Sequence, residues 1–438
     1  MQVTPTPGVT RPPTRERVPT IPPARTVTPQ ASATPRVSAS DLQGQQVQVW
    51  HTLPEVWLRG ATAQFNRENP WGVTVSLHTF PDEAALREAL PDAPPGTLLL
   101  TSPALTPLWE QSGALSDWQS WIDDPQYGLP AAEQMDFLPV FWREGLQGAR
   151  RLALPFMRSA AFLVRNHTWA AELGKAAIPQ TLADFQQQAC AANAVMRQDD
   201  SVDNDGLGGW LVDTRPPVML GWLYAFGAEP LHNKTYHFNT PEGEAAFTFL
   251  KALYDQNCAW VGNEDYPDDY LSTRRALFAA LTLPEEPFVR QAFIEAGNHD
   301  QWGALPFPAP QGEPVLPTFG ESFALTSGET PPQALAAWLY VRWMLSPEVQ
   351  AQVTRQSNLL PVRRSALTVL ADYGATHPVW QAVVDALPYA RPEPALPSWN
   401  LVQWMLADAG EQIFRAYFEA GHVPDTLQLL DSSANEQP

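Results

Sequence analysis

The stretch "RLALPFMRSAAFLVRN", residues 151–166, decides how this chain is read. Two apolar runs, Leu152 to Leu154 and Ala160 to Val164, each read as a short strand, and Pro155, Phe156, Met157, Arg158 and Ser159 stand between them. Proline removes a ladder donor, so a strand is expected to stop near Pro155. No helical spacing fills the gap. The expectation is strand, bend and strand, with no helix between.

Upstream, "QQVQVW" alternates at Val47 and Val49 as a strand does. Leu58, Ala61 and Phe65 then fall on one face of a helix that "NPWG" ends. "VTVSLHTF" alternates again, a helical piece runs from about Glu83 to Ala89, and "GTLLLTS" is a short buried strand. This β-α-β-α-β order implies a parallel sheet with crossovers. Downstream, "IPQTLADF" starts a helix, with Thr181 as cap and Asp184 at its third position. "NTPEGEAAFTFLKALYDQN" does the same with Thr240 ahead of Pro241. "HDQWGALPFPAP" reads as a strand and a proline-rich turn, and "PPQALAAWLYVRWMLSPEVQAQV" as two helical segments, the second capped by Ser346.

The 438 residues carry a net charge of −20, which disfavours nucleic acid and anionic membranes as partners. Residues 1–40 hold five arginines against Glu16, so the remainder carries about −24. Residues 1–44 are rich in proline and threonine and too poor in apolar side chains to fold; they read as a disordered tether. Residues 431–438 read as a frayed tail. No apolar run reaches the ~18 residues of a membrane span, and no hydrophobic leader precedes the tether. A tether needs something at its other end, so the expectation is an extracytoplasmic protein held to the membrane through this spacer, its leader removed or unseen. Cys190 and Cys258 fit no metal spacing. They either form one bridge or remain two buried thiols; the thiols are favoured because free cysteine packs as a small hydrophobe.

Four stretches in order resemble one family: "LALPFMRSAAFLVRNHTWAAELG" with "IPQTLADFQQQA"; "LGWLYAFGAEPL" with "FNTPEGEAAFTFLKALYD"; "RRALFAALTLPEEPFVRQAFIEAGNHDQWGALPFPAPQG"; and "GESFALTSG" through "AAWLYVRWMLSPEVQAQVTRQSNLLPVR". Over residues 45–430 the chain resembles the extracellular solute-binding proteins of ABC importers, in the cluster that takes sugars and glycerol-phosphate compounds. The resemblance implies an α/β, periplasmic-binding-protein-like fold: two α/β lobes, a hinge and an interlobe cleft. One lobe would comprise 45–153 and 303–345, the other 154–302 and 346–430, with Pro155 to Ser159 in the hinge at the cleft floor. It implies capture of a solute by closure and delivery to the permease's membrane subunits, with no catalysis, no cofactor and no metal, by a monomer.

Sugars present an apolar face and a polar rim, so aromatic and polar side chains near the cleft are the candidates. Trp222 and Tyr224 lie in a segment similar to one that offers an aromatic contact in sugar-binding relatives, though Trp222 also fits one face of a helix. Trp399 resembles a late aromatic that stacks on ligand, or else it staples a helix start. His51 directly follows the first strand, where an α/β sheet opens its crevice, and Glu55 comes after it; a loop histidine and a helix-dipole partner are their plainer readings. Gly320 permits close approach of backbone to ligand. Phe156 and Arg158 lie on the expected hinge. Arg391 suits a phosphate, or a surface ion pair. Glu285 and Glu286 disfavour a phosphate nearby. "DSVDNDGLGGW" places Asp203, Asp205 and Gly206 as a calcium loop does, but Val212 stands where that loop needs glutamate, so a glycine-rich turn is expected. "NEDYPDDY" (Glu264, Asp265, Asp268, Asp269) reads as a solvated loop rather than a hydrolase's carboxylate pair. A glycoside hydrolase and a sensor ectodomain are the rival classes.

Overall fold

The computed structural model describes residues 37–106, 113–263 and 266–437. Most of the proline- and threonine-rich segment therefore lies outside the described residues, as do Glu264 and Asp265. The segment's end is corrected: Leu42 is fully buried and Val37 packs against the same core, so the folded body begins before residue 44.

Strand β1 (Gln46–His51) buries Val47 and Val49 and turns Gln46 and Gln48 outward, as the alternation predicts. Helix α1 (Glu55–Glu68) buries Leu58, Ala61 and Phe65. Strands β2 (Thr74–Thr79) and β3 (Leu98–Thr101) both run parallel to β1.

The opening stretch differs from its reading. β4 (Leu154–Asn166) is one strand of 13 residues, all buried, with no bend at Pro155. Pro155 is tolerated because it stands opposite Ser322 where the partner strand shifts register between Glu321 and Ser322; a bulge needs no donor there. The rest of the chain supplies α2 (Leu182–Met196), β5 (Gly208–Leu211), α3 (Pro216–Ala225), β6 (Ala259–Trp260), β7 (Ala276–Thr282), β8 (Trp302–Leu305), β9 (Leu316–Leu325), α4 (Pro331–Met344), α5 (Pro347–Ser357), β10 (Leu360–Pro361), β11 (Ala390–Pro392) and α6 (Trp399–Ile413).

These strands form one sheet in the order β6-β5-β7-β4-β9-β3-β1-β2, with β8 and β10 on β4 and β11 on β9. β4 and β9 tie its two sections together. Residues 154–160 of β4 pair with β9, which itself pairs with β3; residues 161–166 pair with β7 and β8. Each section has its own core. Leu154, Phe156, Phe323 and Leu335 belong to one, with α1 and α4; Leu163, Phe185, Trp210 and Trp222 belong to another, with α2, α3 and α6. Helix α5 straddles the sections: Val349 and Val353 pack with the first core, and Ala351 with a cluster under β7.

Two further expectations are corrected. Cys190 and Cys258 are bonded to each other. The glycine-rich segment read as a turn makes this so: Gly208 and Gly209 lie in β5, where a side chain on Gly208 would strike the Ala192 carbonyl and one on Gly209 the Cys258 carbonyl. Helix α2 therefore lies close enough over β5 to bring the two cysteine Cα atoms within 4.3 Å. The chain end is not frayed, since a helix runs over Val423–Asn435 and buries Leu430 and Ala434. Asp431 accepts hydrogen bonds from the Phe238 and Asn239 amides, and the Asn435 amide bonds the Tyr236 backbone.

Candidate functional site

A cavity of about 410 Å³ sits over the stretch where β4 and β9 join the two sheet sections, a volume in the range that holds small molecules. Its floor is Met157 and Ser159 of β4 and residues 317–321 of β9. Leu53, Pro54 and Trp57, at the end of β1 and the start of α1, form one wall. Facing them are the start of α3 (Arg215, Pro216, Pro217, Leu220), the end of β7 (Thr282, Pro284) and the first turns of α6 (Trp399, Gln403, Trp404).

Strand and helix periods decide which candidates reach this space. Successive strand residues point to opposite faces. Met157 and Ser159 face the cavity, whereas Phe156 and Arg158, the two expected contacts, are fully buried on the other face. Phe156 packs on Phe323. The Arg158 guanidinium donates to Glu144, to the Met157 and Glu321 carbonyls and to the Ser322 hydroxyl, and so clamps the bulge beneath the floor. On α3, Pro216 and Leu220 face the cavity at helical spacing, while Trp222 turns into the core against Phe185, Trp210 and Phe307. Trp222 is thus not a wall of this cavity. Tyr224 and Arg391 do meet each other, but in a separate groove: the guanidinium lies 4.0 Å from the ring centroid and binds Glu229 at 2.7 Å. Tyr224 donates its hydroxyl to the Pro392 carbonyl.

His51 is buried one step behind the wall, its Nδ1 paired with the Leu53 carbonyl at 3.1 Å. Burial holds its pKa below the ordinary value, so the ring is neutral at pH 7. Glu55 opens α1 and pairs with Arg59 on the solvent side. Glu285 and Glu286 bind Arg215 and Arg290.

Two candidates do line the cavity. Gly320 has φ 144°, and a Cβ there would lie 2.5 Å from the Met157 carbonyl oxygen. Only glycine suits both the angle and the approach. Gly320→Ala is expected to lose about 1–3 kcal/mol of stability, measured by urea denaturation. Trp399 lines the cavity, stacks on Tyr236 and donates its Nε1–H to Glu393 at 3.2 Å.

Sequence reading placed Ser159 on the floor but missed Trp57, Trp404, Thr318 and Glu393. One signal was present for Trp404: α6 buries Val402, Leu406 and Ile413, and a tryptophan off that stripe, 60% exposed, calls for a reason. Ser159 Oγ, Thr318 Oγ1 and Glu321 Oε2 are all buried on the floor with no hydrogen-bond partner within the protein. Buried polar atoms are normally paired, so three orphans on one cavity floor leave hydrogen-bonding capacity there unused. Glu393 accepts from Trp399 and from the Ser102 hydroxyl. Burial pushes its pKa up to about 7. Burial likewise raises the Glu321 carboxyl, helped by Glu83 and Glu393 and opposed by Arg158.

A mixed α/β body whose cavity is floored by the two strands common to both sheet sections defines a cleft-type binding protein. The chain belongs to the bacterial extracellular solute-binding protein family, whose model matches residues 60–383. No curated protein matches it in sequence. Among solved structures it is similar to the sugar-binding protein MalE of Xanthomonas citri, with TM-score 0.76 and 19% identity over 90% of this chain and 97% of that one. It is also similar to the cyclic alpha-maltosyl-1,6-maltose binding protein of Arthrobacter globiformis (0.72; 17%; 89% and 99%). A third is UgpB of Mycobacterium tuberculosis, solved with glycerophosphocholine (0.71; 18%; 89% and 98%). These likenesses give the periplasmic-binding-protein fold.

Proposed function

We propose that this protein is the solute-binding component of an ABC importer and takes a carbohydrate or glycerol-derived solute into the cavity over β4 and β9. The observation that carries the reading is the set of orphaned floor atoms, Ser159 Oγ, Thr318 Oγ1 and Glu321 Oε2, between indoles from either side. A polyol offers hydroxyls to such a floor and C–H faces to Trp57 and Trp404. The solute-binding proteins of known structure named above add support, being receptors for sugars or glycerophosphocholine.

In this reading the two sheet sections act as lobes that close about β4 and β9. Closure is favoured only by contacts that the solute makes in the closed state. Gly320 and Trp399 touch the solute, and His51 and Arg158 hold the wall and the floor. The closed, loaded monomer is delivered to the permease subunits outside the cytoplasm, with the proline-rich segment as spacer to a membrane anchor.

Thermal unfolding of the full chain across a panel of sugars and glycerophosphodiesters tests the proposal. A true solute at 100 times its Kd is expected to add about 2.7 kcal/mol. A folded sample that no compound stabilises overturns it. Because Glu321 and Glu393 share the cavity, hydrolysis is the second reading. Sustained turnover of an aryl-glycoside, lost in Glu321→Gln or Glu393→Gln, would replace binding with catalysis.

A further inference from the structure

The charges around the cavity are one-sided. Among its described lining residues Arg215 is the one cation, and its guanidinium is already held by Asp213 and Glu285. Arg158 lies beneath, but it turns its donors to Glu144, two backbone carbonyls and Ser322 rather than to the Glu321 carboxyl. Glu321 and Glu393 therefore face the cavity without an ion-pair partner, and Glu321 Oε2 is buried with no hydrogen bond at all. Glu83, which accepts from Thr101, adds a further carboxyl behind them. A phosphate or carboxylate placed here meets like charge and finds no free guanidinium. The Trp57 and Trp404 indoles, by contrast, offer π faces, which attract cations.

We propose that the solute carries an organic ammonium group, seated between the Glu321 and Glu393 carboxyls with the Trp57 and Trp404 indoles beside it. The proposal rests on the solute-binding reading above and narrows its ligand. It also accounts for two carboxyls in so dry a place: the guest's charge compensates them on binding. Burial raises both carboxyls in the free protein, Glu393 to about 7, so an arriving cation displaces protons near neutral pH. Arg158 and Arg215 on one side, and Glu83, Glu144, Asp213 and Glu285 on the other, are the charged groups facing this pair.

Calorimetry on the full chain tests this with matched probes: choline against 3,3-dimethylbutan-1-ol, and glucosamine against N-acetylglucosamine. At least one ammonium probe is expected to bind about tenfold or more tighter than its neutral partner. Choline keeps its charge throughout, so its binding heat at pH 6 should vary with the buffer's ionisation enthalpy as protons are released, and its affinity should rise from pH 6 to pH 8. Glu321→Gln and Glu393→Gln should each cut the ratio of ammonium-probe to neutral-probe affinity about tenfold. Should either variant fail to fold, Trp404→Ala, a change at an exposed residue, should still weaken the ammonium probe about fivefold. A neutral sugar that binds without proton release, while both ammonium probes fail, overturns the inference and leaves the solute-binding reading standing. Failure of every probe and of the whole panel in a folded sample overturns both.

Discussion

Replacing Arg158 by methionine is expected to remove about 3–5 kcal/mol of folding stability, because it breaks a buried ion pair from one side. The Arg158 side chain has no exposed surface, and that of its partner Glu144 is 11% exposed. The guanidinium meets both Glu144 oxygens, at 3.3 and 3.0 Å, as well as the Glu321 carbonyl and the Ser322 hydroxyl across the bulge. Without it Glu144 stays buried and unpaired. Burial already raises the Glu144 pKa while Arg158 opposes the shift, so removing Arg158 raises it further. A carboxyl whose folded pKa lies above its unfolded value costs nothing below the unfolded value, and the cost grows as pH rises towards the folded one. The variant's deficit should therefore be larger at pH 8 than at pH 4.5 in urea titrations. Adding Glu144→Gln should recover part of the loss at pH 8. If the single variant loses under 1 kcal/mol, or its deficit does not vary with pH, the clamp is not an electrostatic one.

Arg158 also shows why the sequence yields the sheet sooner than the site. Alternation at Val47 and Val49, the helical spacing of Leu58, Ala61 and Phe65, and the Thr181–Asp184 capping box are local patterns, and each is present in the structure. The segment 151–166 was legible as strand but not as one strand. Proline normally argues against a mid-sheet position, and the bulge at Phe156 that admits Pro155 forms only against β9, more than 150 residues away. The same blindness set the face. Without a register, nothing in "PFMRS" says whether its even or odd residues meet the cavity, and a slip of one exchanges Met157 and Ser159 for Phe156 and Arg158. Trp222 was misplaced for the helical version of this reason: α3 is apolar all round, so its stripe has no visible edge. Gly320 and Trp399 do line the cavity, and each carries a signal of its own, one conformational and one positional. Glu393 and Thr318 carry no such signal, since their meaning comes only from neighbours that the fold supplies.

The double change Cys190→Ala/Cys258→Ala is expected to lower stability by about 4 kcal/mol, from the loop of 68 residues that the bridge closes. In thermal unfolding this corresponds to a fall on the order of 10 °C. Unlike Arg158, the bridge lies wholly within one section of the sheet. It joins α2 to the residue just before β6, over the glycines of β5. The two perturbations should therefore separate in calorimetry. If the sections unfold in distinct transitions, losing the bridge lowers only the one that contains Trp210 and Phe185. Arg158→Met instead lowers both, because β4 and β9 run through both. If the body unfolds as one unit, each change shifts the single transition by its own amount, and their effects add, since the sites share no partner. Solute affinity is expected to survive the loss of the bridge, because neither cysteine nor its immediate neighbours line the cavity. A folded double variant with unchanged thermal midpoint would mean that packing of α2 on β5, and not the bridge, secures that edge of the sheet.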